Sequence, residues 1–249
     1  MSFDPTTLAI VCAVFALAGF VKGVVGLGLP TVTLALLTIM VDLPSAMALM
    51  LVPSFVTNLW QGSVGGHGKQ LLRRLALFLL LATACVWLGA LALVRIDVQW
   101  LAALLGVLLV VYAVVGLAGL KVSVKPTLEQ PVGAVLGIIN GVLTGMTGSF
   151  VVPGVMYLQA LGLPRDALVQ AMGILFTLST LALAIALGGA RLLSEELGLV
   201  SVAGLVPAIA GMVVGQRIRR RLSETGFRRV FLLALLAVGS YIVLRSLSR

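Results

Sequence analysis

Residues 19–30 read GFVKGVVGLGLP and residues 141–153 read GVLTGMTGSFVVP. Each stretch carries three glycines at positions i, i+4 and i+7 and then a proline: Gly19, Gly23, Gly26 and Pro30 in the first, Gly141, Gly145, Gly148 and Pro153 in the second. A shift of 122 residues lays the glycines of one on those of the other. The same shift carries Gly89 onto Gly211 and Arg95 onto Arg217. Small register changes bring Pro44 of the turn DLP onto Pro164 of GLP, and Thr57 onto Thr177. Glycine makes up 28 of 249 residues, so a single coincidence means nothing. Agreement in spacing, prolines and distant positions is a different matter. We read two homologous halves, 1–120 and 121–249, joined in one integrated membrane domain.

The sequence around these stretches fixes the solvent. Hydrophobic residues make up 61% of the chain and charged residues 10%, and the mean hydropathy is +1.20. A soluble domain carries about 25% charged residues, so this chain has too little polar surface to face water. Disorder is excluded by the same numbers. A single anchor is excluded because apolar stretches recur from residue 6 to residue 247. The expectation is an all-α polytopic integral membrane protein. Gly, Pro and charge breaks divide the chain into ten helical candidates: 6–21, 30–41, 44–61, 71–94, 98–118, 132–145, 150–162, 166–188, 197–216 and 229–246. Six are near the ~20 residues that cross a bilayer. The other four, 6–21, 30–41, 132–145 and 150–162, form two pairs of short segments. Each pair is joined by one of the Gly-rich stretches. The fold class is therefore eight to ten helical segments in two repeats, with short broken helices at Gly-rich joints.

Loop charge orients the repeats. Linker 61–74 carries Lys69, Arg73 and Arg74 and no acid. Linker 119–131 is net +1. Loop 217–229 holds six arginines and one acid, whereas 95–97 is neutral and 189–196 is net −1. The positive-inside rule places 61–74, 119–131 and 217–229 in the cytoplasm and the other two outside. Arg245 and Arg249, at a predicted outside end, run against it. Equivalent loops of the two halves then lie on opposite sides, the pattern of an inverted-topology repeat. This use of basic residues also accounts for the net charge of +9. The basic cluster near 217–229 has only Phe227 between its charges, so the partner is the lipid bilayer and not nucleic acid. Cys12 and Cys85 lie in apolar runs outside any CxxC motif, and neither marks a metal or redox site. The N-terminus lacks a basic n-region and reads as a retained first helix, capped by Asp4 and Thr6 or Thr7 with Pro5 in its first turn. Asp42 is expected to cap helix 44–61.

Broken helices at membrane depth must be buried in protein or line a cavity. Paired breaks in two halves are the strongest sequence pointer to a transport site. The freed N–H groups at a half-helix start favour an anion. The first joint is expected to expose backbone from Gly26 to Leu29. The second is expected to expose Thr147 to Val151 beside the hydroxyls of Thr144, Thr147 and Ser149. The candidate substrate-binding residues are Lys22, Gly26, Gly28, Asn58, Thr144, Thr147, Gly148, Ser149 and Gln170. For Gly19, Gly133, Gly137 and Gly141 we expect helix packing instead. Two readings of Lys22 stand side by side: a counter-ion for an anionic substrate, or a head group snorkelling from the end of helix 6–21. Asn58, Gln61, Asn140, Gln159 and Gln170 are polar groups in apolar surroundings, open to substrate contact or to interhelical hydrogen bonding. The acids Asp4, Asp42, Asp97, Glu129, Asp166, Glu195, Glu196 and Glu224 all fall at segment ends or in loops, which gives no support to a buried proton relay. His67 reads as a solvated loop residue. No Walker A, zincin helix or Ser/His/Asp set is present, which speaks against an enzyme and leaves no cofactor implied.

The two joints, each leading through a [DG]-L-P turn into another helix, resemble the sulfite exporter TauE/SafE family over nearly the whole chain. The resemblance implies movement of small sulfur-containing anions such as sulfite, sulfonates or related organic acids across the bacterial inner (cytoplasmic) membrane. It also implies about eight membrane segments and no ATP-hydrolysing domain. The runner-up readings are an uptake carrier for another small metabolite or ion and, in a different class, a membrane-embedded enzyme or assembly subunit. Oligomeric state is not written in the sequence.

The topology is open to direct test with single cysteines at Gly66, Glu195 and Glu224 on intact cells. An impermeant thiol reagent is expected to label Glu195→Cys alone. Labelling of Gly66→Cys or Glu224→Cys without Glu195→Cys reverses the assignment, and labelling of all three sinks the charge argument.

Overall fold

Asp4 starts the first helix: its carboxylate accepts the N–H of Thr7 at 3.2 Å, and Pro5, which has no N–H to satisfy, occupies the first turn. In the computed structural model, which describes residues 4–120, 122–219 and 223–248, this helix, α1 (Pro5–Val25), is followed by α2 (Leu29–Met40) and α3 (Leu43–Ser63). Next come α4 (Gly68–Arg74), α5 (Ala76–Ala84), α6 (Val86–Arg95) and α7 (Val98–Ala118). The second half holds α8 (Glu129–Thr147), a π-helical turn Val151–Val155 running into α9 (Met156–Ala160), α10 (Arg165–Gly189), α11 (Glu195–Arg219) and α12 (Glu224–Leu247). No strand occurs among the described residues. Seven helical stretches are long and apolar enough to cross a membrane: α1, α3, α5 with α6, α7, α10, α11 and α12. The protein is an all-α, multi-pass membrane protein.

Two segments are longer than their glycines suggest. Helix α1 runs through Gly19 and Gly23 to Val25, and α8 runs from Glu129 through Gly133, Gly137, Gly141 and Gly145 to Thr147, 19 residues in all. Of the four segments expected to be short, only α2 and 151–160 are so. A glycine destabilises a helix interior by about 1 kcal/mol, and here close helix packing offsets that cost. The expected single helix 71–94 is three pieces, interrupted at Leu75 and Cys85. Asp42 caps α3 as expected, accepting the N–H and the hydroxyl of Ser45, each at 2.9 Å. Lys121, Arg220, Arg221 and Arg249, which enter the charge reading, lie outside the described residues.

The chain packs as two compact units, and each draws on both sequence halves. The first comprises Met1–Pro53, Asp97–Gly119 and Arg191–Arg249. Its main seams are α1 against α11 and α7 against α12. At the α1–α11 seam the backbones touch: a Cβ on Gly19 would collide with the carbonyl of Ala208, and one on Gly211 with the carbonyl of Ala16. Arg245 of α12 donates to the carbonyl of Ile39 in the last turn of α2. That end of a helix carries a partial negative charge, so this arginine has a structural task separate from setting topology. Helix α3 contains Pro53, whose missing N–H leaves the carbonyl of Leu49, four residues back, without its helical donor. The hydroxyl of Ser201 on α11 supplies the replacement, donating to Leu49 O at 2.7 Å while accepting the N–H of Val52 at 3.1 Å. Ser201 is buried, and no water is needed at the break.

The second unit comprises Ser54–Ile96 and Leu120–Ala190. Its main seam is α8 against α5 and α6. Here a Cβ on Gly145 would collide with the carbonyl of Val86, and one on Gly141 would sit 2.7 Å from the carbonyl of Ala82. The 122-residue shift takes this seam onto α1–α11, with the register slipped by one turn. At the end of α8, Arg74 grips Glu129 with two hydrogen bonds of 2.9 and 2.6 Å. The hydroxyl of Tyr157 donates to the carbonyl of Glu129 at 2.9 Å, and its ring packs on Phe78. These contacts fasten α4, α8 and α9 at one end.

Removing the hydroxyl in Ser201→Ala is expected to lower stability by about 1–3 kcal/mol, because it orphans a buried carbonyl. Pro53→Ala restores the helical donor to Leu49, so the double variant should regain most of the loss. Chemical unfolding in detergent reads both. Wild-type stability in Ser201→Ala alone would show that the hydroxyl does no repair.

Candidate functional site

Helix α1 ends one turn after Lys22. Gly26 takes a left-handed conformation, φ +86°, and donates its N–H to the carbonyl of Lys22 at 2.8 Å. Gly28, φ +122°, is the N-cap of α2 and brings no side-chain acceptor to that helix start. The break is thus Gly26–Gly28, one residue shorter than the expected Gly26–Leu29, because Leu29 already belongs to α2. Pro30 in the first turn has no N–H, and Leu29 is fully buried. Lys22 is 4% exposed. A snorkelling ammonium extends to the surface, whereas this side chain is buried.

The second joint uses the same cap. Gly148 is left-handed, φ +73°, and donates to the carbonyl of Thr144 at 2.7 Å. Beyond it the chain is irregular: Val152 is extended, the Val152–Pro153 bond is cis, and the π-helical turn leads into α9. The expected exposed stretch Thr147–Val151 therefore shifts, since Thr147 closes α8 and the irregular backbone reaches Val152. Thr144, Thr147 and Ser149 are buried, and the two threonine hydroxyls bond to backbone. Thr144 Oγ1 donates to the carbonyl of Ser149 at 3.0 Å. Thr147 Oγ1 donates to the carbonyl of Leu143 at 2.7 Å and accepts the N–H of Ser149 at 3.2 Å. Phe150 closes the joint against Phe176 of α10, with ring centroids 5.5 Å apart.

The second unit therefore brings Thr144, Thr147, Gly148 and Ser149 into one cluster, and the first brings Lys22, Gly26 and Gly28 together. Gln170 serves a different segment: its side chain accepts the N–H of His67 at 2.8 Å and donates to the carbonyl of Gly62 at 3.0 Å, tying the 62–67 linker to α10. His67 is thereby held by its backbone. Gln61 reinforces that junction by donating to the carbonyl of Val169 at 2.8 Å. Asn58 is fully buried in the second half of α3.

Asn140 stands out beyond the expected set. It is fully buried on α8, and its Oδ1 accepts the N–H of Gly154 at 2.9 Å, bridging the irregular segment. Its Nδ2 has no partner. Ser179 Oγ on α10 and Thr33 Oγ1 on α2 are likewise buried without one. The signal for Asn140 was a lone amide inside the glycine ridge Gly137, Gly141, Gly145; Ser179 and Thr33 carry no sequence signal, since hydroxyls are common in membrane helices. A cavity of about 610 Å³ lies at the far end of α2 from the first joint, lined in part by Asp42, Asp97 and Arg245, and none of the expected site residues line it. Every carboxylate whose side chain is described is at least partly exposed, at a helix end or in a loop.

No curated protein and no solved structure matches the chain. The family model for the sulfite exporter TauE/SafE family matches residues 11–242. That span takes in both Gly-rich joints and every expected site residue, and the chain belongs to the TauE/SafE family of sulfite-exporter-type membrane transporters.

Proposed function

We propose that this protein is a secondary transporter of small sulfur-containing oxyanions (sulfite, a sulfonate or a related organic anion) that carries its substrate outward across the inner membrane of a bacterium. The burial of Lys22 carries this reading. It is a cationic side chain enclosed in an apolar unit, one turn before a broken helix whose successor starts without a side-chain cap. A cation held there, together with backbone N–H groups at a helix start, recognises a small anion and rejects a cation. Within the second unit, the joint at Gly148 and Ser149 is an anion contact of its own, with Thr144 and Thr147 holding its backbone in shape. Gln170 fixes the neighbouring linker, and Asn58 is retained as a buried polar contact. The two joints belong to the two inverted repeats, 1–120 and 121–249. Export of one negative charge is favoured by about 2.3 kcal/mol per 100 mV of membrane potential, negative inside. Neither ATP nor a buried proton relay is needed.

Purified protein in liposomes should move sulfite outward when a potassium diffusion potential makes the interior negative, and flux should follow the size of the potential. Sulfite conversion without flux would sink the transporter reading. In Lys22→Met, affinity for the anion should fall at least about tenfold, or roughly 1.4 kcal/mol; unchanged affinity would return Lys22 to a packing role.

The left-handed caps decide how to probe the glycines. Valine at Gly26 or Gly148 would be strained by the backbone alone, by roughly 1–2 kcal/mol, so lost flux would say little about the ligand. Asparagine tolerates this conformation. Gly26→Asn and Gly148→Asn should fold, as judged by thermal unfolding, and lose most flux because the added side chain fills the joint. Full flux in both would refute a role for the joints in binding.

A further inference from the structure

We infer that Asn140 is a specificity-determining residue of the second joint, its Nδ2 donating a hydrogen bond to an oxygen of the transported anion; the inference rests on the transporter reading above. The side chain is fully buried, where an unmade hydrogen bond is disfavoured. Its orientation is settled by chemistry. Gly154 offers an N–H, so Oδ1 faces it at 2.9 Å and Nδ2 must point elsewhere. Among the described residues nothing accepts from that nitrogen. The N–H groups of Gly148 and Ser149 and the carbonyl of Ser149 are already bonded to Thr144 and Thr147. The donor left over belongs to the side chain that braces the irregular segment.

The surroundings leave little freedom. A Cβ on Gly154 would collide with Asn140 Oδ1 and would lie 3.1 Å from Leu175 of α10, so amide, irregular backbone and α10 are in direct contact. One turn further along α10 is Ser179, a second buried hydroxyl without a partner. An amide NH₂ donates and does not accept. It therefore selects ligands that present bare acceptor oxygens, such as sulfite or a sulfonate, over ligands that must donate at the same point.

Asn140→Asp separates this role from bracing. The aspartate keeps an oxygen for the N–H of Gly154 but replaces the free donor with an acceptor. Assayed at pH 8 in liposomes, Asn140→Asp should keep the wild-type unfolding temperature to within a few degrees and lose sulfite flux by at least about tenfold, the worth of one hydrogen bond to a charged group. Asn140→Leu loses the brace as well and should unfold at lower temperature. Wild-type flux in a folded Asn140→Asp protein overturns the inference and leaves the transporter reading standing. Should Asn140→Asp not fold, sulfite protection against thermal unfolding decides: its loss in Asn140→Ala supports the inference, and full protection there overturns it. Absence of sulfite flux in the wild-type protein removes the transporter reading, and this inference with it.

Discussion

Lipid supplies no hydrogen bonds, so each backbone group released by a helix break inside the membrane has to find a partner within the protein. That constraint organises the breaks in this chain. At Pro53 a serine from another helix replaces the missing donor to Leu49. At Gly26 and Gly148 a left-handed residue turns its N–H back onto the last helical turn. Between Thr144 and Gly154 two threonines and one asparagine satisfy an irregular stretch whose polar groups would otherwise be stranded. Two of these repairs are made by backbone alone, and the others by short buried side chains set beside the breaks.

Glycine serves two opposite purposes in the same motif. In GFVKGVVG the first two glycines are inside α1 and let its backbone meet α11, while the third ends the helix. The second Gly-rich stretch divides the labour likewise, with Gly141 and Gly145 on the seam and Gly148 at the end. Spacing of four keeps the seam glycines on one helix face. The final step of three places the cap one turn beyond the last contact. A helix held rigidly by its seam and released just past it is suited to carrying a ligand-facing break at fixed position.

The compact units draw on both halves of the sequence: α1 pairs with α11, and α8 with α5 and α6, so each seam joins one half of the sequence to the other. The charged groups then sort by task. Arg74 and Glu129 fasten helix ends, Arg245 closes the end of α2, and Lys22 alone among these four charges is enclosed beside a break.

Composition and glycine spacing by themselves determined the membrane class, the order of the main helical segments, the left-handed ends at Gly26 and Gly148 to within a few residues, and the caps at Asp4 and Asp42. These follow from local physics: hydropathy over a helix length, the missing N–H of proline, and side chains that reach their own helix start. The full length of α1 and α8 was not legible, because a glycine that breaks a helix and one that packs it look alike until the partner helix is in place. Nor was the part played by Gln170, whose partners lie 103 and 108 residues away along the chain, nor the pairing of Ser201 with a carbonyl 152 residues away. Asn140 shows the division most plainly. Its polarity was visible in the sequence, but that one of its two polar atoms is used and the other left over is a matter of which backbone N–H arrives opposite it, and only the tertiary structure decides that.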